Sequence, residues 1–257
     1  MNLETAFEQI LDIFDLQVDQ FNFDENSETQ LESIIRYAAE NTIGGWHPDP
    51  SQRKWPIGSV FEVEGKVLYA LIRALKAKQV VEIGIQDGCS ASQITAALKA
   101  NDAGHLTSID RANSGTLIPD ELRPYVSIVA GDGAEWLAAQ SDNSIDFLFE
   151  DADHSEDLSY RVGELVKTKL RPGGVFVAHD AAHYMVGDDI RRGYERAGMD
   201  FKVYSIEPSD CGLLIWKRPG VWIEDVEPEV VEEVAEVETK APVKKTPVRK
   251  PAKKAAK

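Results

Sequence analysis

Acidic side chains and histidines follow two apolar runs of the sequence, at the point where each run ends. The first run leads into the segment FEDADHSED, which places Asp151, Asp153 and His154 close together. The second run, GGVFVA, leads into His179 and Asp180. Crowded carboxylates repel one another and are expensive to bury, so a divalent cation would offset their repulsion. Carboxylate oxygens suit Mg²⁺, Ca²⁺ or Mn²⁺, whereas an imidazole ligand favours Mn²⁺, Fe²⁺ or Zn²⁺.

The two apolar runs belong to a regular alternation of segments between residues 59 and 220. Short apolar segments such as QVVEIGI, HLTSID and IDFLFED alternate with amphipathic segments such as EGKVLYALIRALKA and LSYRVGELVKTKL. This alternation is typical of βαβ units. The sequence therefore predicts an α/β domain with a Rossmann-like, doubly wound sheet that is mostly parallel and carries helices on both faces. Adjacent parallel strands lie about 4.8 Å apart, so groups at their tips can share one ion.

The end of this domain and the two flanks follow different patterns. FKVYSI and GLLIWKR are separated by only EPSDC, which is too short for a parallel crossover and predicts a C-terminal antiparallel hairpin. Residues 1–58 predict a helical N-terminal extension with a capping box at Ser27, followed by a Gly- and Pro-rich loop over 44–59. That loop could contact the substrate or simply lie on the surface. Residues 221–257 are of low complexity and predict a disordered tail.

The charge distribution argues against a nucleic acid as partner. The formal net charge is −16, and the segment from Glu224 onward contains eight acids and eight bases, so the whole negative charge lies on residues 1–223. Such an acidic body repels phosphate backbones and suits a small molecule. The chain has two distant cysteines, no signal-peptide pattern and no apolar stretch of membrane-spanning length. We therefore expect a cytoplasmic protein with no membrane partner; assembly into a homo-oligomer stays open.

Three successive predicted strands end in groups that suit a nucleoside-like ligand. The first turn, EIGIQDGCS, has a spacing that differs from the G-x-G-x-x-G of dinucleotide-binding enzymes. Its glycines let a ligand approach the backbone, and the following helix offers its N-terminal N–H groups. The second strand ends in Asp110, whose carboxylate can accept both ribose hydroxyls. The third ends in Asp132 and Gly133, placed to meet an adenine edge, although either aspartate could instead cap a turn or a helix.

These features resemble the class I S-adenosylmethionine-dependent methyltransferases over about residues 61–218. The closing antiparallel hairpin also suits that fold. The resemblance implies S-adenosylmethionine as the cofactor, with Asp110 holding the ribose and Asp132 the adenine amino group. It further implies that four residues of the first turn line the methionine part of the cofactor site: Glu82, Gly84, Gly88 and Ser90.

The two acidic motifs resemble those of the metal-dependent O-methyltransferases, which include the catechol, caffeoyl-CoA and macrolide-sugar enzymes. IDFLFEDADH is similar to their strand-four motif and RPGGVFVAHD to their strand-five motif. The resemblance implies that Asp151 and Asp180 bind the metal, with Mg²⁺ as the expected ion. These relatives usually carry an acid where this chain has His179, which could bind the metal, act as a base or stay outside the ligand set. Glu64 falls where plant relatives carry a Glu-Gly pair near the active site, and we count it among the cofactor contacts.

The expected reaction is methyl transfer to a hydroxyl group of a small molecule. His154 is the first candidate for the base that removes the hydroxyl proton, and His179 is the second. His154 could instead cap the next helix, and Asp153 either orients a ligand or caps that helix. Two other functions stay open. One is a metal-independent methyltransferase with a histidine as sole base, and the other is a non-catalytic module of the same fold with the 224–257 tail as its interaction arm.

Overall fold

The computed structural model describes residues 60–112, 115, 118–206 and 209–220, in which helices and strands alternate. The α-helices are α1 (Glu62–Leu75), α2 (Cys89–Asn101), α3 (Gly133–Ala138), α4 (Glu156–Lys169) and α5 (Gly187–Arg196). The strands are β1 (Gln79–Ile83), β2 (His105–Asp110), β3 (Val126–Ala130), β4 (Ile145–Glu150), β5 (Leu170–Ala178), β6 (Lys202–Tyr204) and β7 (Leu213–Lys217), with a short 3-10 helix at Arg123–Tyr125. The predictions for the N-terminal extension, the 44–59 loop and the 221–257 tail lie outside the described residues.

The seven strands form one sheet in the order β3-β2-β1-β4-β5-β7-β6. Strands β1 to β5 pair in parallel with their neighbours, whereas β7 is antiparallel to both β5 and β6. This confirms the predicted mostly parallel sheet and its C-terminal antiparallel hairpin. The second hairpin strand, β7, lies between β5 and β6, so the short β6 forms the edge of the sheet.

Strand residues alternate between two apolar cores, one on each face of the sheet. Val80 and Phe147 pack with α1 and α2, whereas the next residues, Val81 and Leu148, pack with α3, α4 and α5. Successive side chains of a strand point to opposite faces, so strands covered on both sides are buried at every position and are mostly apolar. This explains why IDFLFE is buried at every position. None of the described helices has the length and apolar character that a membrane crossing requires.

The topology brings four strand ends to the same edge of the sheet. The strand order reverses between β1 and β4, which are hydrogen-bonded neighbours, and β2 and β5 flank them. These strands end at Ile83, Asp110, Glu150 and Ala178. Both acidic motifs and the glycine-containing turn therefore leave the sheet together. Ligands of open α/β sheets bind at such a reversal.

Candidate active site

A cavity of about 610 Å³ opens at the carboxyl ends of β1, β2 and β4. Several residues that the sequence predicts for the site line its wall: Gly84, Ser90, Asp110, Asp132, Gly133, Asp151, Asp153 and His154. The other predicted residues are not part of that wall among the described residues: Glu64, Glu82, Gly88, His179 and Asp180. The cavity has the size and placement of a ligand site, and it is the candidate active site.

Two glycines of the turn after β1 are required by close approach. Gly84 has a φ of 94°, and a Cβ there would stand 2.1 Å from the carbonyl oxygen of Asp151. Gly88 caps α2 with a φ of 93°, and a Cβ there would stand 2.6 Å from a side-chain carbon of Ile118. Gly84 thus lets the β1 turn touch the acidic motif, and Gly88 fits the packing behind the cavity wall.

The Asp110 carboxylate holds the β1 turn in place. Its Oδ2 accepts hydrogen bonds from the N–H groups of Ile85 at 3.0 Å and Gln86 at 3.2 Å, and its Oδ1 accepts from that of Ala112 at 2.9 Å. Carboxylate oxygens accept more than one hydrogen bond each, so Asp110 can hold the turn and still face a ligand. Gln86 itself has a φ of 45°, which the hydrogen bond to Asp110 helps to fix.

Asp132 caps the helix that follows it. Its Oδ1 accepts from the N–H of Glu135 at 3.0 Å and lies 3.4 Å from Arg161, and its Oδ2 lies 3.5 Å from Arg111. The Glu135 N–H and the two arginines hold the pKa of the Asp132 carboxyl below its usual value, against the opposing effect of partial burial. Helix capping, the alternative that the sequence left open, therefore describes this residue in the structure.

Gly133 lines the cavity wall, and its packing against β1 also requires a glycine at this position. A Cβ at this position would stand 2.2 Å from Cγ2 of Ile83, the last residue of β1. The helix α3 can therefore begin against the end of β1 only with a glycine there. This contact brings the third strand end close to the first.

Glu82 lies inside the sheet and does not face the cavity. It is fully buried and accepts hydrogen bonds from the hydroxyls of Ser90 and Ser108, each at 2.5 Å. Burial raises the pKa of its carboxyl to about 7, and the two serines oppose that shift. The sequence analysis missed Ser108. Ser108 stands opposite Glu82 in the parallel pairing of β1 and β2, and this pairing is what could have indicated it.

Asp151, His154 and Asp180 form a cluster next to the cavity. One donor atom from each lies within 4.8 Å of the other two, and His154 Nε2 is 3.2 Å from Asp180 Oδ2. Ser155 caps α4 by accepting from the N–H of Leu158, so the helix does not use the side chain of His154 or Asp153 as its cap. This leaves both side chains at the cavity wall.

His179 lies beneath this cluster with only 2% of its surface exposed. Its Nδ1 is 3.3 Å from Asp151 Oδ1 and 3.3 Å from Asp180 Oδ2. Neither contact is aligned as a hydrogen bond, so Nδ1 has no hydrogen-bond partner among the described residues. Burial lowers the pKa of His179, but the nearby carboxylates, above all Asp151, outweigh burial and raise that pKa well above its ordinary value.

The backbone turns sharply directly after His179. Asp180 adopts a left-handed conformation with a φ of 56°, which is uncommon for a residue other than glycine. Burial acts to raise the pKa of Asp180, but contact with His179 holds it well below its usual range. A left-handed aspartate kept charged beside two histidines is the kind of local strain that accompanies functional sites.

Glu64 holds His179 from the side opposite the cluster. It is fully buried, and its Oε2 lies 2.8 Å from His179 Nε2 and accepts from the N–H of Phe61 at 3.1 Å. Its Oε1 accepts from the hydroxyl of Ser209 at 2.5 Å and the N–H of Gly212 at 3.1 Å. The sequence analysis assigned Glu64 to the cofactor. The structure places it behind His179 instead, because all of its acceptor positions face protein groups. No sequence signal pointed to Ser209.

Two overlapping groups of side chains around His179 have the donor atoms of a cation site: His179, Asp180 and Cys211, and Asp151, His154 and Asp180. Two carboxylate oxygens lie 3.3 Å from a buried imidazole nitrogen, and a second imidazole lies beside them. A nitrogen lone pair facing two carboxylates is repulsive unless a proton or a metal ion lies between them. Oxygen and imidazole donors in this proportion suit a divalent cation.

Cys89 shares the cavity wall but is not a nucleophile. Both it and Cys211 are free cysteines. Burial raises the pKa of the Cys89 thiol to about 12, and the nearby Glu82 adds to the shift. Because the thiolate is the reactive form, this thiol stays inert near neutral pH.

Comparison with known proteins finds similarity in the region that contains the candidate site. Residues 81–181 match the model of a family described as a methyltransferase domain. Two proteins with the provisional name O-methyltransferase, from Mycobacterium ulcerans and Mycobacterium avium, are each 31% identical to this chain, over 139 and 138 residues. Each match covers 49% of this chain and 58% of the relative. The chain thus spans less than two thirds of these relatives.

Solved structures share the fold. The O-methyltransferase of tomaymycin synthesis from Streptomyces achromogenes, solved in complex with SAM, has a TM-score of 0.52 at 21% identity and covers 74% of this chain and 89% of its own. An O-methyltransferase from Bacillus cereus, solved in complex with SAH, has a TM-score of 0.51 at 17% identity. The match covers 84% of this chain and 99% of the Bacillus cereus chain. At these identities the similarity establishes the fold.

Proposed function

We propose that this chain, whose residues 81–181 match the model of a methyltransferase domain, transfers a methyl group from S-adenosylmethionine to a hydroxyl oxygen of a small molecule. One observation carries the proposal. The same cavity is lined by the Asp110-held turn, which suits a nucleoside, and by Asp151 and His154, which suit a reacting hydroxyl. Cofactor and acceptor can therefore meet in one space.

The cofactor half of the site offers groups for each part of S-adenosylmethionine. Asp110 would accept from the ribose hydroxyls with the lone pairs that it does not use for the β1 turn. The N-terminus of α2, beginning at Cys89 in the cavity wall, would face the methionine carboxylate with its partial positive charge. Asp132, which also caps α3 beside Arg111 and Arg161, would accept from the adenine amino group.

The reaction is an in-line displacement at the methyl carbon. The acceptor oxygen forms a bond to that carbon while the carbon–sulfur bond breaks, which leaves a neutral thioether and releases the hydroxyl proton. Alignment of oxygen, carbon and sulfur inside a site that excludes water supplies much of the rate. His154 is placed to take the proton, because it lines the cavity and the Asp180 carboxylate 3.2 Å away stabilises the imidazolium that forms.

A divalent cation would complete the acceptor half. Asp151 and Asp180 are the carboxylates that would hold it, with His179 behind them. Lewis-acid lowering of the pKa of an acceptor hydroxyl is the chemistry that such an ion supplies when bound. The second candidate function is methyl transfer without a metal. A proton on His179 Nδ1 between the same two carboxylates supports it, and His154 would then be the sole base.

Cofactor binding tests the first half of the proposal. Titration of the full chain with S-adenosylmethionine by calorimetry is expected to show binding that Asp110→Asn weakens at least about tenfold, since bonds to a charged acceptor are worth roughly 1.5–3 kcal/mol. Asp120→Asn, which changes an exposed aspartate, is the matched control and should leave binding unchanged. If the wild type does not bind, or if both variants bind alike, the assignment is wrong.

Methyl transfer tests the second half. Tritiated methyl groups are followed from S-adenosylmethionine to a panel of phenols, catechols and sugars. His154→Ala is expected to lower kcat by about 10² or more, whereas His105→Ala, at the far end of β2, should not. Treatment with EDTA followed by removal of the chelator separates the two candidates. Loss of activity that a divalent salt restores supports the metal-assisted reaction, and unchanged activity supports the metal-free one.

A further inference from the structure

We propose that His179 is itself a metal ligand through Nδ1, and that the site therefore selects a first-row transition ion over Mg²⁺. The inference deepens the proposed function, on which it rests for the place of the ion. It concerns this chain's own residues, because a histidine rather than a third acid stands beside the two carboxylates at the end of β5.

The hydrogen bond with Glu64 decides which ring nitrogen of His179 carries the proton. A carboxylate only accepts, so Nε2, which lies 2.8 Å from Glu64 Oε2, carries the hydrogen and donates it. When His179 is neutral or binds an ion, its lone pair therefore resides on Nδ1. Carboxylates fix metal-binding histidines in this way, with one ring nitrogen donating to the acid and the other facing the ion.

Glu64 is held rigidly enough to play that part. It is fully buried in α1 and accepts from Phe61, Ser209 and Gly212 as well as from His179. These bonds tie the N-terminus of α1 to the segment before β7. The imidazole therefore has one orientation, in which Nδ1 faces the acidic cluster.

The distances around Nδ1 match those between neighbouring ligands of one ion. Two donors that each lie about 2.1 Å from a shared ion, at tetrahedral or octahedral angles, stand about 3.0 to 3.4 Å apart. Nδ1 is 3.3 Å from both Asp151 Oδ1 and Asp180 Oδ2. Nδ1 is also buried and has no hydrogen-bond partner in the described part of the chain. A shared ion accounts for both facts, and so does a proton on Nδ1; the titrations below distinguish the two.

The nitrogen donor determines the choice of ion. Mg²⁺ prefers oxygen ligands and retains several waters, whereas imidazole suits Fe²⁺, Ni²⁺ and Zn²⁺. Mn²⁺ is the first-row ion least favoured by nitrogen donors, so it is the stringent probe for the experiment below. An aspartate at position 179 would supply an oxygen donor in place of the imidazole and would favour Mg²⁺. The substitution His179→Asp is therefore the direct test of selectivity.

Ion binding is measured on the full chain after removal of bound metal, without cofactor or acceptor, by calorimetric titration with Mn²⁺ and with Mg²⁺. The wild type is expected to bind Mn²⁺ at least about 100-fold more tightly. His179→Asp should lower this ratio at least about tenfold, and Glu64→Gln should weaken Mn²⁺ binding by about tenfold through the lost orientation of the ring. His105→Ala removes an imidazole elsewhere and should change nothing.

Pulsed electron paramagnetic resonance of bound Mn²⁺ supplies a second readout that does not depend on a His179 variant folding. Coupling to a coordinated imidazole nitrogen should be present in His154→Ala, in which His179 is the remaining histidine of the cluster. Equal affinity of the wild type for the two ions, no Mn²⁺ binding, or no nitrogen coupling in His154→Ala overturns the inference. Because the cofactor and acceptor are absent, a failure of methyl transfer leaves this result unaffected.

Discussion

The imidazole of His179 lies 2.8 Å from the carboxylate of Glu64, although 115 residues separate the two in sequence. Glu64 belongs to α1, outside the sheet, and His179 follows β5. The contact thus ties the first described helix to the strand end that carries one of the acidic motifs. It gives the site a buried floor whose polar groups all depend on one carboxylate.

Removal of that carboxylate is expected to destabilise the fold strongly. Glu64→Ala leaves the donors of Phe61, Ser209 and Gly212 without an acceptor, together with the ring of His179, and should cost roughly 3–5 kcal/mol. Glu64→Gln keeps one acceptor oxygen and should cost about 1–2 kcal/mol. Urea unfolding measures both, with Glu135→Ala on the exposed face of α3 as control. Equal losses in Glu64→Ala and in the control would show that the buried network contributes little.

The strand ends were accessible to sequence reasoning because their signals are local. Apolar runs covered on both faces give β1, β4 and β5, and the short link between FKVYSI and GLLIWKR gives the antiparallel pair. The position of β7 between β5 and β6 has no such signal, because strand order depends on which edges remain unpaired. Asp146 is a further example. It is buried within an apolar strand and accepts from the N–H groups of Lys78 and Gln79, residues far away in sequence.

The candidate site was predictable from the sequence only where its residues lie at strand ends. Asp110 ends β2, and Asp151 and His154 follow β4, so topology alone brings them to one edge. The support behind them was not predictable. Glu64 meets His179 only because α1 and β5 contribute to the same core, and their relative position depends on the whole of that core. The residues that hold a reacting group in place come from any part of the chain.

Gly84 should tolerate alanine far less well than another glycine with a similar backbone. Gly84 and Gly198 both have positive φ, at 94° and 73°, but a Cβ at Gly84 would stand 2.1 Å from the Asp151 carbonyl oxygen, whereas a Cβ at Gly198 meets nothing within 4 Å among the described residues. Gly198→Ala should cost about 1 kcal/mol from backbone conformation alone. Gly84→Ala should cost at least about 3 kcal/mol, because β1 and β4 must move apart.

The two variants are compared by their urea midpoints and by the ellipticity of the folded state. The difference between them isolates the collision with Asp151 from the backbone strain that they share. Gly84→Ala should also abolish S-adenosylmethionine binding under conditions in which it remains folded. If the two substitutions cost the same, the close approach of the β1 turn to the acidic motif is not as tight as described.

The buried Glu82 should make stability fall as the pH rises toward neutrality. Burial raises the pKa of its carboxyl from 4.5 to about 7. Between these values the unfolded chain releases a proton that the folded chain retains. The contribution of Glu82 to the free energy of unfolding is therefore fully present below about pH 4.5 and declines as the pH rises to about 7. A difference of this size corresponds to roughly 3 kcal/mol. Glu150, which is also buried and has its pKa raised to about 7, adds a second decline of the same sign.

Glu82→Gln isolates the first contribution. Its amide stays neutral and can still bond with the hydroxyls of Ser90 and Ser108, so the decline between pH 4.5 and 7 should shrink by roughly 3 kcal/mol while that from Glu150 persists. Urea unfolding at half-unit steps of pH measures the change, with Glu135→Gln as the exposed control. A variant whose stability keeps the full slope of the wild type would mean that Glu82 is already charged in the folded chain at pH 5. The two serines would then have to stabilise a buried anion within the sheet, which two neutral hydroxyl donors do poorly.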